Sequence, residues 1–218
     1  MVQKKRKLGR GVAMVGAGVS KFGVYPKGVR AQDLFVEAYN ELISSVDKGF
    51  DPKEIDALYL GNGSSDVMEH QLHTAPSIGS RIGIIPKPTL KIEDACAASG
   101  VAFREGVIAI ASGIYDIVLA GGIEKMTNLD TSHVTDALAM ALDPETEFIA
   151  GETFPGIYAT IATAHMAKYG TTVEDFMRHG IKNHHNGGLI PKAHFVVSIP
   201  EFMKRRAASA VKKGRPEP

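Results

Sequence analysis

The sequence predicts an α/β fold: a mostly parallel sheet with flanking helices, followed by a mainly helical stretch. Three observations predict it. Short apolar runs end in glycine or small polar residues, amphipathic helical stretches separate them, and this alternation stops near residue 124.

Residues 12–18 (Val-Ala-Met-Val-Gly-Ala-Gly) are an apolar run ending in glycines, the pattern of a buried strand opening into a loop. Over residues 30–47, Leu34, Phe35, Ala38, Leu42 and Val46 share one helical face, with Asp33, Glu37 and Glu41 elsewhere, and Gly49 stands where the helix should stop. Asp51-Pro52 reads as an N-cap followed by proline at the first position of a short helical turn. Ala57-Leu58-Tyr59-Leu60 is a second strand, closed by Gly61-Asn62-Gly63. A helix is expected over 70–82 and a strand over Thr89–Ile92, followed at once by Glu93-Asp94-Ala95-Cys96. Phe103, Val107, Ile110 and Ile114 then fall at helical spacing with Gly113 as the stop, and Ile117-Val118-Leu119-Ala120 is the fourth strand. In such a sheet, functional residues sit just past the C-terminal ends of the strands.

Residues 125–200 lack strand patterns and hold two expected helices, about 156–169 and 172–185, the second with a capping-box pattern at Thr171-x-x-Glu174. The ending, residues 201–218, is basic, small and proline-terminated, the composition of a disordered tail.

Composition removes several function classes. A net charge of +1 over 218 residues argues against a chain dominated by nucleic-acid or membrane electrostatics. The Lys4-Lys5-Arg6-Lys7 run has no apolar stretch after it, as a signal peptide would, and no run reaches the length of a membrane span. A single cysteine excludes an intramolecular disulfide and a Cys-rich metal site, and reads as cytoplasmic and reduced.

That cysteine, Cys96, falls between a strand and the first turn of an apolar helix. Unpaired N–H groups at a helix N-terminus favour a thiolate by roughly 0.3–1 kcal/mol and can stabilise an oxyanion formed by attack on a thioester. Ala97, Ala98, Ser99 and Gly100 are small enough for a substrate to approach the sulfur. A buried structural cysteine would fit the same position, and position alone does not choose between them.

The wording of the sequence chooses. Glu93-Asp94-Ala95-Cys96-Ala97-Ala98-Ser99-Gly100, followed by Ala111-Ser112-Gly113-Ile114-Tyr115-Asp116 and Ala120-Gly121-Gly122-Ile123-Glu124-Lys125-Met126-Thr127, strongly resembles the thiolases. Within them it looks most like the archaeal and sterol-carrier-type acetyl-CoA acetyltransferases. The match continues through Gly151-Glu152-Thr153-Phe154-Pro155-Gly156, Lys182-Asn183-His184-His185-Asn186-Gly187 and Pro191-Lys192-Ala193-His194-Phe195, so it covers about residues 10–195.

The resemblance implies that Cys96 takes an acyl group from acyl-CoA, and that Met126, Phe154, Pro155 and Gly156 contact the coenzyme A substrate. It implies no cofactor beyond that thioester. It further implies a thiolase-like N-terminal α/β domain with an incomplete sheet over 1–124, a loop domain covering coenzyme A over 125–200, and a tail over 201–218. Partners implied are a second copy of the chain or a complementing C-terminal half, with a condensing synthase and a zinc- and OB-fold-bearing scaffold as further ones; nucleic acid and membrane are not expected.

The departures from the family matter equally. Thiolases are about twice as long, and their second half carries a histidine in a Gly-His-Pro-like segment and a second cysteine in Cys-x-Gly. With one cysteine in all and none of its eight histidines in a Gly-His-Pro context, the chain lacks both groups, and its fifth strand is unrecognisable after Phe195. The expectation is a truncated or split form, with an out-of-frame reading or premature stop as one origin, and marginal stability from an open sheet edge. A non-catalytic remnant that only binds coenzyme A or another subunit is the competing reading.

Three motifs are set aside. Gly16-Ala17-Gly18 has Lys21 where a dinucleotide loop needs its third glycine, so a turn is expected. Glu69-His70-Gln71-Leu72-His73 has the wrong order for a zinc helix, and His179, His184 and His185 have no ligand partner at suitable spacing.

Overall fold

A computed structural model describes residues 8–213. They divide into two compact units: Tyr25–Ile149 with the residues preceding Lys21, and Lys21–Val24 with the residues from Ala150 onward. The first unit thus runs on to residue 149. Residues just past 124 are tied into the first unit, where Lys125 is buried and Thr127 Oγ1 donates to the Tyr25 carbonyl at 3.0 Å.

In the first unit, helix α1 (Ala31–Ser45) opens with the Arg30 N–H donating to the Asp33 carboxylate at 2.8 Å, and Asp51 caps a short turn at Pro52–Glu54. Strands β1 (Ala57–Gly61), β2 (Thr89–Ile92) and β3 (Val118–Gly122) form a parallel sheet in the order β2-β1-β3. Gly61 pairs with Ile92 on one side and Gly122 on the other, so the three C-terminal ends finish level. Central β1 reads Ala-Leu-Tyr-Leu-Gly because both its faces are covered. Leu58 and Leu60 are fully enclosed among Phe35, Tyr39, Ile78, Ile84 and Leu119, each burial being worth about 1.5–3 kcal/mol.

The helix expected over 70–82 is α3 (Thr74–Arg81), and a shorter one, α2 (Ser65–Glu69), precedes it. His70 takes a left-handed conformation (φ 52°) that ends α2, and Pro76 lies in the first turn of α3, where its missing N–H costs no helical bond.

Helix α4 (Ala98–Ala111) has its expected length, with Gly113 left-handed (φ 82°) after it, but not its expected face. The buried residues are Ala98, Ala102, Gly106, Ala109 and Ala111, whereas Phe103 is 53% and Ile114 69% exposed. The cause is proximity. A Cβ on Gly106 would lie 3.2 Å from Val118 Cγ1, so only small residues fit beneath the helix.

Residues 12–18 differ most from expectation, for they join no sheet. Met14 is 75% and Val15 67% exposed, and the Ala17 N–H donates to Ser45 Oγ at 3.0 Å instead of to a strand. Gly18 presses against α1, where a Cβ would stand 2.0 Å from the Ala38 carbonyl oxygen. An apolar groove of about 510 Å³ lies between this segment and residues 117–120, floored by Leu42, Val46, Phe103 and Ile110. Among the described residues β3 pairs only with β1, so its outer edge is open and residues 12–18 stay outside the sheet.

Helix α5 (Thr131–Ala139), which the sequence pattern did not reveal, also belongs to the first unit, its N-terminus capped by Asp130 accepting from the His133 N–H at 3.1 Å.

The second unit contains α6 (Phe154–Tyr169), α7 (Val173–Gly188) and α8 (Ile199–Lys212). The capping box of α7 is Thr172 with Asp175, one residue on from the expected Thr171 and Glu174. Helix α8 occupies most of what composition marked as a disordered tail. Ser198 caps it, Pro200 stands in its first turn, and Arg205 pairs with Glu201 at 2.9 Å one turn earlier. The last five positions of the expected tail, 214–218, lie outside the described residues. None of these three helices has a fully buried residue. No helix among the described residues is long and apolar enough to cross a membrane.

Candidate active site

The site is built at the level C-terminal ends of the three strands. After β2 the chain passes through Glu93 and Asp94 to Ala95, whose φ of 43° is left-handed, and then to Cys96 in a single 3-10 turn leading straight into α4. A non-glycine residue there costs of order 1–3 kcal/mol and persists only where its surroundings hold it. The Ala95 N–H donates to the Glu93 carboxylate at 2.6 Å, and Cys96 is exposed with a free thiol. The elbow aims the sulfur outward at the start of a helix, where N–H groups are unpaired.

Two glycines seat that helix. A Cβ on Gly61 would lie 2.3 Å from the Ser99 backbone nitrogen, and one on Gly122 would lie 1.7 Å from Ser99 Oγ. The first turn of α4 therefore rests directly on the ends of β1 and β3, and no side chain can be inserted there without lifting it.

Polar bonds lock the strand ends together. The Asn62 N–H donates to the Ile92 carbonyl at 3.0 Å, and Asn62 Nδ2 donates to the Ile123 carbonyl and to Ser65 Oγ, both at 2.7 Å. Glu124 reaches back over the same turn. Its Oε2 accepts from the Gly63 N–H at 2.9 Å and its Oε1 from the Ser64 N–H at 3.2 Å. Burial pushes the Glu124 carboxyl above the usual glutamate range, opposed by those two N–H donors. Beneath lies Lys125, 2% exposed, donating from Nζ to Asn128 Oδ1 at 2.6 Å, while Asn128 Nδ2 donates to Glu69 Oε1 at 3.3 Å.

Of the residues expected to carry the site, Cys96 and Met126 lie in the first unit, Met126 partly exposed two residues past Glu124. Phe154, Pro155 and Gly156 form the first turn of α6 in the second unit, where the Thr153 hydroxyl accepts from the Gly156 N–H at 3.3 Å. Asn62, Gly63 and Glu124 stood in the quoted motifs only as strand-closing residues. The signal that could have marked them is a carboxylate placed among glycines at a strand end, where a buried charge must be met by backbone donors.

An exposed thiol on a left-handed elbow between a parallel strand and a helix N-terminus defines a class: α/β proteins with a candidate cysteine nucleophile. Comparison with known proteins makes it specific. Residues 12–213 match the family described as thiolase, N-terminal domain. An acetyl-CoA acetyltransferase of Methanothermobacter thermautotrophicus is 40% identical over 190 residues, which is 87% of this chain and 48% of that protein. The acetyl-CoA acetyltransferase of Methanocaldococcus jannaschii is 38% identical over 191 residues, 87% of this chain and 47% of the relative. Benzoylsuccinyl-CoA thiolase subunit BbsB of Thauera aromatica is 28% identical over 209 residues, 94% and 51% respectively. The chain belongs to the thiolase family, and it spans about half the length of the curated relatives it matches.

Proposed function

We propose that this chain provides the acyl-accepting half of a thiolase-type acyltransferase active on acetyl-CoA or a related acyl-CoA. The observation that carries the reading is the exposed Cys96 held on the Ala95 elbow at the start of α4. The Cys96 thiolate attacks the thioester carbonyl carbon, a new C–S bond forms, and the bond to the coenzyme A sulfur breaks as coenzyme A leaves and takes up a proton. The acyl group is then a thioester on Cys96. Helix N-terminal N–H groups suit the transient oxyanion. Met126, Phe154, Pro155 and Gly156 are the residues proposed to contact coenzyme A, and no cofactor is needed.

Condensation with a second acyl-CoA needs a proton removed at its α-carbon, and the one cysteine of this chain is already the nucleophile. We assign that step to groups from a complementing C-terminal half, with the reducing cytoplasm as the setting. The archaeal relatives' name, acetyl-CoA acetyltransferase, supports acetyl as the group carried.

The test is the intact mass of the purified chain after incubation with acetyl-CoA. A single acetyl adduct is expected, removed by hydroxylamine and absent in Cys96→Ala. A chain that stays unmodified from mildly acidic to basic pH overturns the reading and leaves only coenzyme A binding or subunit association.

A further inference from the structure

The geometry points to Glu124 as the positioning residue for Cys96. The inference rests on the reading of Cys96 as the nucleophile. Glu124 follows β3, yet its carboxylate serves the turn after β1: Oε2 accepts from the Gly63 N–H at 2.9 Å, and Oε1 accepts from the Ser64 N–H at 3.2 Å and lies 3.4 Å from Asn62 Nδ2. That turn is the piece lying against the cysteine elbow. A Cβ built on Gly63 would meet Glu124 Oε2 at 3.5 Å, the Ala95 carbonyl oxygen at 3.6 Å and Ala95 Cα at 3.8 Å. The space beside Gly63 that a side chain would fill is thus bounded by the carboxylate and by the left-handed residue that precedes the sulfur.

A left-handed alanine relaxes unless something blocks its return. The Ala95 N–H is held by the Glu93 carboxylate, and the Gly63 turn stands about a methyl group's width from Ala95. Gly63 can act as a wall only if it is fixed, and Glu124 fixes it by taking up its N–H and that of Ser64. The path therefore runs from Glu124 through Gly63 to Ala95 and on to Cys96. Burial on this path explains why a carboxylate, able to accept two N–H groups at once, stands at a strand end otherwise built of small residues.

The test uses the whole chain and its only cysteine. Iodoacetamide, small and needing no binding site, is reacted with wild type, E124A, E124Q and E124D from pH 6 to 9, and alkylation is followed by mass. Relaxation of Ala95 moves Cys96 out of its place at the start of α4, so E124A is expected to react about tenfold more slowly near neutral pH. E124Q retains an acceptor oxygen for Gly63 and should stay within about threefold of wild type. E124D keeps the charge but withdraws it by one methylene, so it should behave like E124A, and it decides the matter if E124A fails to melt cooperatively. Wild-type rates in E124A, or in a folded E124D, overturn the inference. Acetyl-CoA is run in parallel: no acetyl adduct on wild type, with the alkylation pattern intact, removes acyl transfer and leaves the Glu124 role standing.

Discussion

At the scale of single residues, the site depends on atoms that are missing. Gly61 and Gly122 are glycines because Ser99 occupies the space their side chains would take, and the two should respond differently to a methyl group. At Gly122 the main obstacle is the Ser99 side chain, with the Gly61 carbonyl oxygen at 3.0 Å behind it, so Gly122→Ala should cost about 1–3 kcal/mol in urea unfolding and regain part of it in the double variant with Ser99→Gly. At Gly61 the obstacle is backbone, and Ser99→Gly should rescue nothing. Glu124 adds a pH dependence whose sign is fixed by its raised carboxyl. The folded state holds the proton more tightly than the unfolded chain does, so this group stabilises the fold at low pH. The contribution fades as pH rises through the ordinary glutamate range to the raised value. Urea midpoints measured from pH 4 to 7 should show this fall in wild type and a flatter profile in Glu124→Gln. Asp56 acts in the opposite sense: the Ile117 and Asp116 N–H groups hold its carboxyl low, so its share is present above the usual aspartate range and lost below it.

At the scale of elements, legibility followed how local the cause was. Helix α1, the Asp51-Pro52 turn, the three paired strands and the thiol-bearing turn could be read because period, caps and glycine stops are written in consecutive residues. The face of α4 could not. Phe103 and Ile114 are the larger apolar residues, but the sheet comes so close that Ala102 and Gly106 are the ones that fit. Residues 12–18 have the composition of a strand, yet a strand is defined by a hydrogen-bonding neighbour, and neighbours are not visible in a run of seven residues. Helix α8 was masked by its basic composition, although Ser198, Pro200 and the Glu201–Arg205 pair are ordinary start signals. At the site, Cys96 was legible through its motif, whereas the function of Glu124 requires knowing that residues 63 and 124 meet.

At the scale of the whole molecule, the two units differ in how their helices are held. The first buries Leu58, Leu60, Ile78 and Leu119 around a sheet, whereas α6, α7 and α8 bury no residue fully and expose Tyr158, Phe176, Met177 and Phe202. Local opening is cheapest where few apolar contacts must be broken. Native-state hydrogen exchange should therefore show amides of α6–α8 exchanging at least about a hundredfold faster than those of β1, a gap of roughly 2.7 kcal/mol. Equal protection in the two units would mean that a partner surface, such as a second copy, covers those side chains in solution.

Lys125 has a consequence for any experiment in which acetyl-CoA is mixed with this protein. Thioesters slowly acetylate amines without enzymatic help, and the exposed lysines of the chain are open to that reaction. Lys125 is 2% exposed, with its side-chain nitrogen donating to Asn128, so the folded molecule denies the reagent access. It is an internal tamper seal: an acetyl group found there would report that the chain had opened before it was modified.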